Sequence, residues 1–369
     1  MEIIHVVLGK ANPERMNGVN KVVYQLATRQ VLAGKDVIVW GITQDCTHNY
    51  PERVFQTRLF KAYKNKFRLD YAMIAAMKEK VGKAVFHLHG GFNPVFFSVS
   101  RQLHKYGIPY VFTPHGAYNE IARRRSRFSK KIYTALFEQA LLKNAQYVHC
   151  LGKSEVDGLH TVNKSATALL VPYGFEMETS GQSIPSGNKF TIGFCGRLDI
   201  YTKGLDLMIK AFALLKKQVP EASLWIIGDS KERKELELLI AKEQVSGVEL
   251  LGSKYGEAKD DLLKQLHVFA HPSRNEGLPS SVLEAASFAV PCLVTEATNV
   301  GDAIRKYHAG IVIEQPEVTA LYEGMMALYQ DVVSGNWHQI SANARRMVLE
   351  EYNWNAIIPQ FDKLYQQAS

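Results

Sequence analysis

The sequence predicts an α/β protein made of two Rossmann-like domains facing across a cleft, and three observations carry that expectation. Short apolar runs recur along the chain, each followed by helical spacing, which is the rhythm of a parallel sheet with crossover helices. That rhythm is interrupted by a polar, Gly/Ser/Pro-rich segment at residues 178–189 and then restarts. The chain has 369 residues, a length that at roughly 150 residues per domain asks for two cores.

Taken in order, the first half offers strands at residues 3–8, 37–40, 85–88, 110–113, 147–150 and 169–171, with helical patterns such as 19–31, 71–80 and 132–142 between them. After the polar break, strands are expected at 190–195, 224–227, 248–251, 268–270, 292–295 and 311–313. The closing pattern Trp354, Ile357, Ile358, Phe361 and Leu364 is an amphipathic helix with a face for either half. The expected domains are 1–177 and 178–352, followed by that helix at about 353–369. Open α/β sheets bind ligands beyond the C-terminal ends of their strands, so the loops leaving strands are the ones to read for chemistry.

The composition is globular, 46% hydrophobic and 22% charged. A formal net charge of +8 and a pI near 9.1 favour acidic partners: nucleotides, nucleic acid or anionic lipid headgroups. Cys46, Cys150, Cys195 and Cys292 are scattered without a Cys-x-x-Cys pair, which speaks against a disulfide framework or zinc site and for a reducing, cytoplasmic setting. The first strand pattern starts close to Met1, so no signal peptide is expected, and no uncharged apolar run nears the ~18 residues of a membrane span. Membrane contact is expected to be peripheral, at the inner face of the plasma membrane.

The most informative strand exit covers residues 269–286. A short apolar strand leads into a polar turn with Glu276, Gly277 and Leu278, then Pro279, Ser280 and Ser281 open a helix carrying Glu284. Free N–H groups at such a helix start favour an anion. The two carboxylates must then hold something else, and sugar and ribose hydroxyls are the obvious partners. Arg197 and Lys203 bracket the turn ending in Gly204. Two cations at a strand exit can neutralise a pyrophosphate, Arg by forked hydrogen bonds and Lys as a point charge. Gly18, in Met16-Asn17-Gly18, would let backbone approach a phosphate or sugar closely.

His115, in Thr113-Pro114-His115-Gly116, follows an expected strand end, where it could hydrogen-bond a bound sugar near its reacting carbon. His87 and His89 share one face of a strand, but no third ligand at useful spacing accompanies them, so no metal is expected. Arg123, Arg124, Arg125, Arg127, Lys130 and Lys131 form the densest basic run, with Phe128 and Ile132 interleaved. Arg53, Arg58, Lys61, Lys64, Lys66 and Arg68 form a looser one. Such runs suit an anionic membrane or a phosphate-bearing acceptor, against the plainer reading of a solvated helix face. The chain has no Walker motif, no Gly-x-Gly-x-x-Gly and no Gly-x-Ser-x-Gly. It also lacks the Asp-x-Asp that usually clamps a metal on a nucleotide diphosphate.

Glu276 and Glu284, seven residues between them, resemble the E-x7-E motif of retaining glycosyltransferase family 4, and residues 196–204 resemble that family's pyrophosphate loop. The likeness extends to Pro114-His115-Gly116, the basic segment after it, Leu151-Gly152-Lys153-Ser154, Val171-Pro172-Tyr173-Gly174 and Tyr352-Asn353-Trp354. It departs from the family pattern in having Asn17 before Gly18, Tyr173 before Gly174, and Asp302 as the later acidic residue. The resemblance implies the GT-B fold, with the last helix crossing back onto the first domain. It also implies a nucleotide-diphosphate sugar held mainly by the second domain and an acceptor held by the first. Arg197 and Lys203 would take the diphosphate, Glu284 the ribose, Glu276 with Gly277 and Leu278 the donor sugar, and His115 the reacting sugar, while Gly18 approaches the phosphates.

The expected activity is therefore hexosyl transfer with retention, from UDP-glucose or another UDP-hexose to a saccharide, lipid-linked in polysaccharide assembly. No cofactor is expected, since the nucleotide sugar is a substrate. The alternatives are a nucleotide-sugar 2-epimerase on a similar fold and, more remotely, a basic nucleic-acid-binding protein. The second lacks any helix-turn-helix or aromatic-basic platform, so nucleic acid is not an expected partner.

Overall fold

The computed structural model describes residues 1–12, 18–118, 131–176, 185 and 189–368. Two compact units emerge: Met1–Gly174 together with Trp354–Ser369, and Phe175–Asn353. The polar segment at 178–189 lies almost wholly outside the described residues.

The first unit runs β1 (Glu2–Leu8), α1 (Gly18–Leu32), β2 (Val37–Thr43), β3 (Gln56–Lys61), α2 (Tyr71–Glu79), β4 (Ala84–His89), α3 (Pro94–Lys105) and β5 (Tyr110–Thr113). A π-helical turn, Thr134–Glu138, continues into α4 (Gln139–Asn144), followed by β6 (Tyr147–Cys150), α5 (Lys153–Val162) and β7 (Ala168–Leu170). All seven strands are parallel in the order β3-β2-β1-β4-β5-β6-β7, so the sequence order reverses between β1 and β4. Central strands read as unbroken apolar or histidine runs because both faces are covered, and every residue of β4 is buried. Trp40 packs between Phe60 and Phe86, with ring centroids at 5.0 and 5.1 Å.

The periodicity misses β3. Only Phe60 of that strand is buried, while Gln56, Arg58 and Lys61 face water, as suits a sheet edge protected by charge. Part of the looser basic run is thus an edge strand and not a helix face. The helix expected at 132–142 is broken by its π turn, because Glu138 is pulled into the core: its Oε1 accepts from the Phe92 N–H (3.0 Å) and the Tyr118 hydroxyl (2.6 Å).

The second unit contains β8 (Thr191–Cys195), α6 (Leu205–Gln218), β9 (Ser223–Ile227), α7 (Arg233–Lys242), β10 (Val248–Gly252), α8 (Gly256–Leu263) and β11 (Val268–His271). It continues with α9 (Ser280–Ser287), β12 (Cys292–Thr295), α10 (Gly301–Tyr307), β13 (Gly310–Ile313), α11 (Val318–Ser334) and α12 (Trp337–Glu351). Its six parallel strands lie in the order β10-β9-β8-β11-β12-β13, the arrangement of a complete doubly wound sheet, with the reversal between β8 and β11.

The closing helix α13 (Trp354–Ala368) belongs to the first unit. Ile357, Ile358, Phe361, Leu364 and Tyr365 are buried, each apolar side chain worth ~1.5–3 kcal/mol. Trp354 lies so close to Gly174 that a Cβ there would sit 2.3 Å from its ring, which is why the segment before the break ends in glycine.

Candidate active site at the strand exits

In a doubly wound sheet the loops after the two strands at the reversal diverge to opposite faces and open a crevice. In the second unit those strands are β8 and β11, and their loops are the two the sequence singled out. Gly204 is where they meet. Its left-handed φ of 68° turns the chain into α6, and a Cβ would lie 2.0 Å from the Pro272 carbonyl oxygen. Ser273 Oγ and the Arg274 N–H both donate to the Thr202 carbonyl, each at 2.8 Å. Arg274 forks onto Asp206 at 2.7 and 2.8 Å and donates to the Tyr201 carbonyl at 2.7 Å. From the third side, the Glu276 N–H donates to the Ala297 carbonyl (3.1 Å), and Asn299 Nδ2 donates to the carbonyls of Glu276 (3.1 Å) and Gly277 (2.5 Å).

This stitching aims Glu276 at a cation. Its Oε1 pairs with Lys203 Nζ and accepts from His271 Nε2 at 3.0 Å, with Ser273 Oγ at 3.4 Å. Burial by itself would raise the Glu276 carboxyl, but the His271 hydrogen bond and the Lys203 ammonium outweigh it and hold the group at about 2. His271 sits between the rings of Phe194 and Phe269, stacked at 5.3 and 6.1 Å. Burial lowers its pKa more than the Glu276 bond and charge raise it, so the ring is neutral with the proton on Nε2. Its buried Nδ1 has no hydrogen-bond partner among the described residues.

Glu284 stands in α9, whose first residues follow Pro279. Its Oε2 accepts from Lys259 Nζ of α8 at 2.7 Å. Gly277 and Leu278 lie half-buried in the loop before it. Of the two cations expected on a diphosphate, Lys203 is drawn in and tied to Glu276, whereas the Arg197 side chain is 69% exposed, 3.5 Å from Asp199.

The family model of the glycosyl transferases group 1 matches residues 176–366, and that of Glycosyltransferase Family 4 matches residues 16–174. The chain is a group 1 glycosyltransferase. Among its relatives, the gpi3 component of the phosphatidylinositol N-acetylglucosaminyltransferase of Schizosaccharomyces pombe is 22% identical over 94% of this chain and 77% of its own. The Escherichia coli UDP-Gal:alpha-D-GlcNAc-diphosphoundecaprenol alpha-1,3-galactosyltransferase is 22% identical over 76% of this chain and 73% of its own. Sucrose-phosphate synthase from Thermosynechococcus elongatus superposes with a TM-score of 0.75 at 19% identity, over 99% of this chain and 98% of the other, which shows the GT-B fold.

In the first unit of the glycosyltransferase the chemistry clusters at the corresponding reversal, and it is of a different kind. His5 of β1 lies beside His87 of β4 in register, and with His89, Thr113 of β5 and His149 of β6 they line one face of four neighbouring strands. His5 contacts His89 (2.9 Å) and Gln30 of α1 (2.7 Å); His87 contacts the Tyr365 hydroxyl of α13 (2.8 Å) and Thr113 (2.6 Å); Thr113 contacts His149 (2.7 Å). His115 follows β5 in a left-handed conformation, φ 52°, and contacts His89 at 3.0 Å, its ring stacked 5.9 Å from Tyr173. Burial lowers His5 and His149 to about 4 and His115 to about 3, and takes His87 and His89 well below the ordinary value.

The expectation that His87 and His89 lack a third ligand is corrected by His5, whose ring nitrogen comes within 4.8 Å of both from the next strand. Spacing along one strand cannot reveal a cross-strand neighbour. The 2.9 Å approach of His5 Nδ1 to His89 Nε2 is, however, a hydrogen-bond distance that needs a proton between them.

Gly18 begins α1 with open space where a Cβ would stand. Met16 and Asn17, and Arg123, Arg124, Arg125, Arg127 and Lys130, lie outside the described residues, while Lys131 is exposed. Sequence reasoning missed His271, Lys259, His5, His149, Glu138 and Glu155. Buried Glu155 accepts from the Leu151 N–H at 2.8 Å, and burial raises it to about 7. Two of these had a signal: His271 closes the strand before the E-x7-E stretch, and His149 sits in a strand otherwise apolar but for Tyr147.

Proposed function

We propose that this glycosyltransferase moves a hexose, with retention of anomeric configuration, from UDP-glucose or another UDP-hexose to a lipid-linked saccharide in polysaccharide or glycan assembly. The observation that carries the proposal is the Lys203–Glu276–His271 cluster at the sheet reversal of the second unit. An ammonium beside a helix start suits the charge that grows on a leaving phosphate, and an ionised carboxylate suits sugar hydroxyls. The relatives support the substrate classes: one is named for UDP-Gal and a diphosphoundecaprenol-linked sugar, another for a phosphatidylinositol.

As the C1–O bond breaks, Lys203 and Arg197 stabilise the leaving diphosphate, whose oxygen takes the proton of the incoming hydroxyl. Glu276, ionised at neutral pH, accepts hydrogen bonds from the donor sugar and is no proton donor. Glu284 holds the ribose, and Gly277, Leu278 and Gly18 line the donor. His115 accepts from a hydroxyl of the reacting sugar. No metal cofactor is part of the proposal, because cationic side chains take the diphosphate charge. Among the described residues no helix is long and apolar enough to cross a membrane. Lys131, Ile132 and Leu136 are exposed beside the basic segment, which supports peripheral contact with anionic lipid.

The test is product analysis with UDP-glucose, UDP-galactose and GDP-mannose, an undecaprenyl-diphosphate-linked saccharide and EDTA present. NMR of an α-linked product from an α-configured donor is the expected result. A β-linked product refutes retention, and conversion of the donor to its 2-epimer without transfer refutes the whole reading.

A further inference from the structure

The contacts among the buried histidines run in one direction, and that direction is set at one end. His149 Nε2 lies 2.6 Å from the Val171 carbonyl oxygen, which can only accept, so this nitrogen carries the proton and Nδ1 is left as an acceptor. Thr113 Oγ1 must then donate to His149 Nδ1 and accept from His87 Nε2. His87 Nδ1 accepts from the Tyr365 hydroxyl, which in turn accepts from Gln30 Nε2 at 3.3 Å. Gln30 Oε1 accepts from His5 Nε2, His5 Nδ1 from His89 Nε2, and His89 Nδ1 from His115 Nε2. The amide orientation assigned to Gln30 agrees with this order from both sides.

We infer that His89 is a positioning residue: through this proton-ordered chain it fixes His115 as the neutral Nε2–H tautomer, so that His115 offers its Nδ1 lone pair to a sugar hydroxyl and rejects a phosphate or carboxylate oxygen. The inference deepens the proposed function and rests on its reading that His115 meets the reacting sugar. Three features support it. The left-handed backbone at His115 is strain retained at a site, and it turns the ring inward onto His89. Tyr173 stacks on the ring with an interplanar angle of 16°, which holds its plane. Burial disfavours the charged form of every histidine in the chain of contacts, which removes the alternative in which a ring donates from both nitrogens. The same order keeps His5 Nδ1 and His89 Nε2 from acting together as metal ligands.

Long-range 1H–15N spectra of the full chain with 15N-labelled histidine test this directly at pH 7. His5, His87, His89, His115 and His149 should each show one neutral Nε2–H pattern. Gln30→Met removes the acceptor for His5 at a distance from His115, and should let His5, His89 and His115 populate both tautomers. Tyr365→Phe cuts the chain between the Val171 anchor and Gln30, and should likewise free the Gln30 amide to flip and His115 to populate both tautomers, while His149 keeps its Nε2–H. Adding UDP-glucose should shift His115 Nδ1, and the loss of one ordered neutral hydrogen bond in Gln30→Met should lower kcat/KM about fivefold. An Nδ1–H or imidazolium His115, a His115 tautomer indifferent to Gln30→Met, or zinc alone shifting His5, His87 and His89 together would overturn the inference. An ordered chain whose His115 ignores every sugar nucleotide that is turned over would instead refute its contact with the sugar. Absence of turnover with any donor would refute the proposed function and leave the tautomers unaffected.

Discussion

The two sheets share one strand order but for a seventh strand on the edge of the first, yet the chemistry at their reversals has opposite character. In the second unit the corner is ionic: Lys203 with Glu276, Lys259 with Glu284, Arg274 with Asp206. In the first it is neutral: histidines, a threonine, a tyrosine and a glutamine joined by hydrogen bonds with no formal charge. Topology therefore decides where a site forms and leaves open what it recognises. A charged corner suits a diphosphate with its pendant hydroxyls, and a neutral one suits a sugar that carries only hydroxyls.

The contrast is most severely tested at Glu276 and Lys203. Either residue changed to Ala should cut kcat by about 10²–10³-fold. Because the pair is largely buried, at 15% and 18% exposure, the charge left behind should also cost ~3–5 kcal/mol in urea unfolding. The double variant Lys203→Met, Glu276→Leu should regain stability but not activity. Recovery of turnover would show the pair to be structural only.

Next in size, Phe361→Ala should destabilise the first unit by ~3–5 kcal/mol, by removing a fully buried ring from α13. Hydrogen exchange should show that loss in β4 to β6 and leave β8 to β12 protected. Equal loss in both units would mean that the two cores are not separate.

Acid should separate the units as well. His5 and His149 titrate near 4 in the folded chain and near 6.5 when unfolded, so between those values the unfolded chain binds more protons and stability falls as pH drops. His87, His89 and His115 act in the same direction, as do His267 and His271 in the second unit. Glu155, raised to about 7 by burial, and Glu138, also raised, oppose the five histidines of the first unit. Glu276, held at about 2 against an ordinary 4.5, adds its loss only below that higher value. Unfolding followed from pH 7 to 5 should thus show the first unit weakening before the second. The reverse order would contradict the neutral-corner assignment.

The smallest structural effect belongs to Arg197→Ala. Its side chain is 69% exposed, so stability should change by no more than ~0.5 kcal/mol. Donor kcat/KM should still fall roughly tenfold if the guanidinium meets the diphosphate. Unchanged kinetics would leave Lys203 as the phosphate's main cation.

Fold class was legible because parallel strands covered on both faces read as apolar runs, and Thr113, Cys150 and Thr295 end strands where the pattern stops. Edge strand β3 was not, since a strand with one buried residue carries no apolar run. At the site, Glu276 and Glu284 could be found because their spacing is local. Their pairing could not, although the sequence singles out Lys203 itself for the diphosphate. Lys203 is 73 residues from Glu276, and Lys259 is 25 from Glu284. The histidine chain was least legible, because its members come from four strands and two helices, and each alone resembles a core histidine.

The closing helix gives the first unit a discontinuous origin. Residues 175–353 are contiguous and emerge from the ribosome before α13, so the second unit can close while the first still lacks its last helix. Until Tyr365 docks, His87 lacks its hydroxyl partner. The neutral corner is therefore completed after the ionic one, and a chain truncated before α13 should hold a formed ionic corner in its second unit while His87 in the first lacks the Tyr365 hydroxyl.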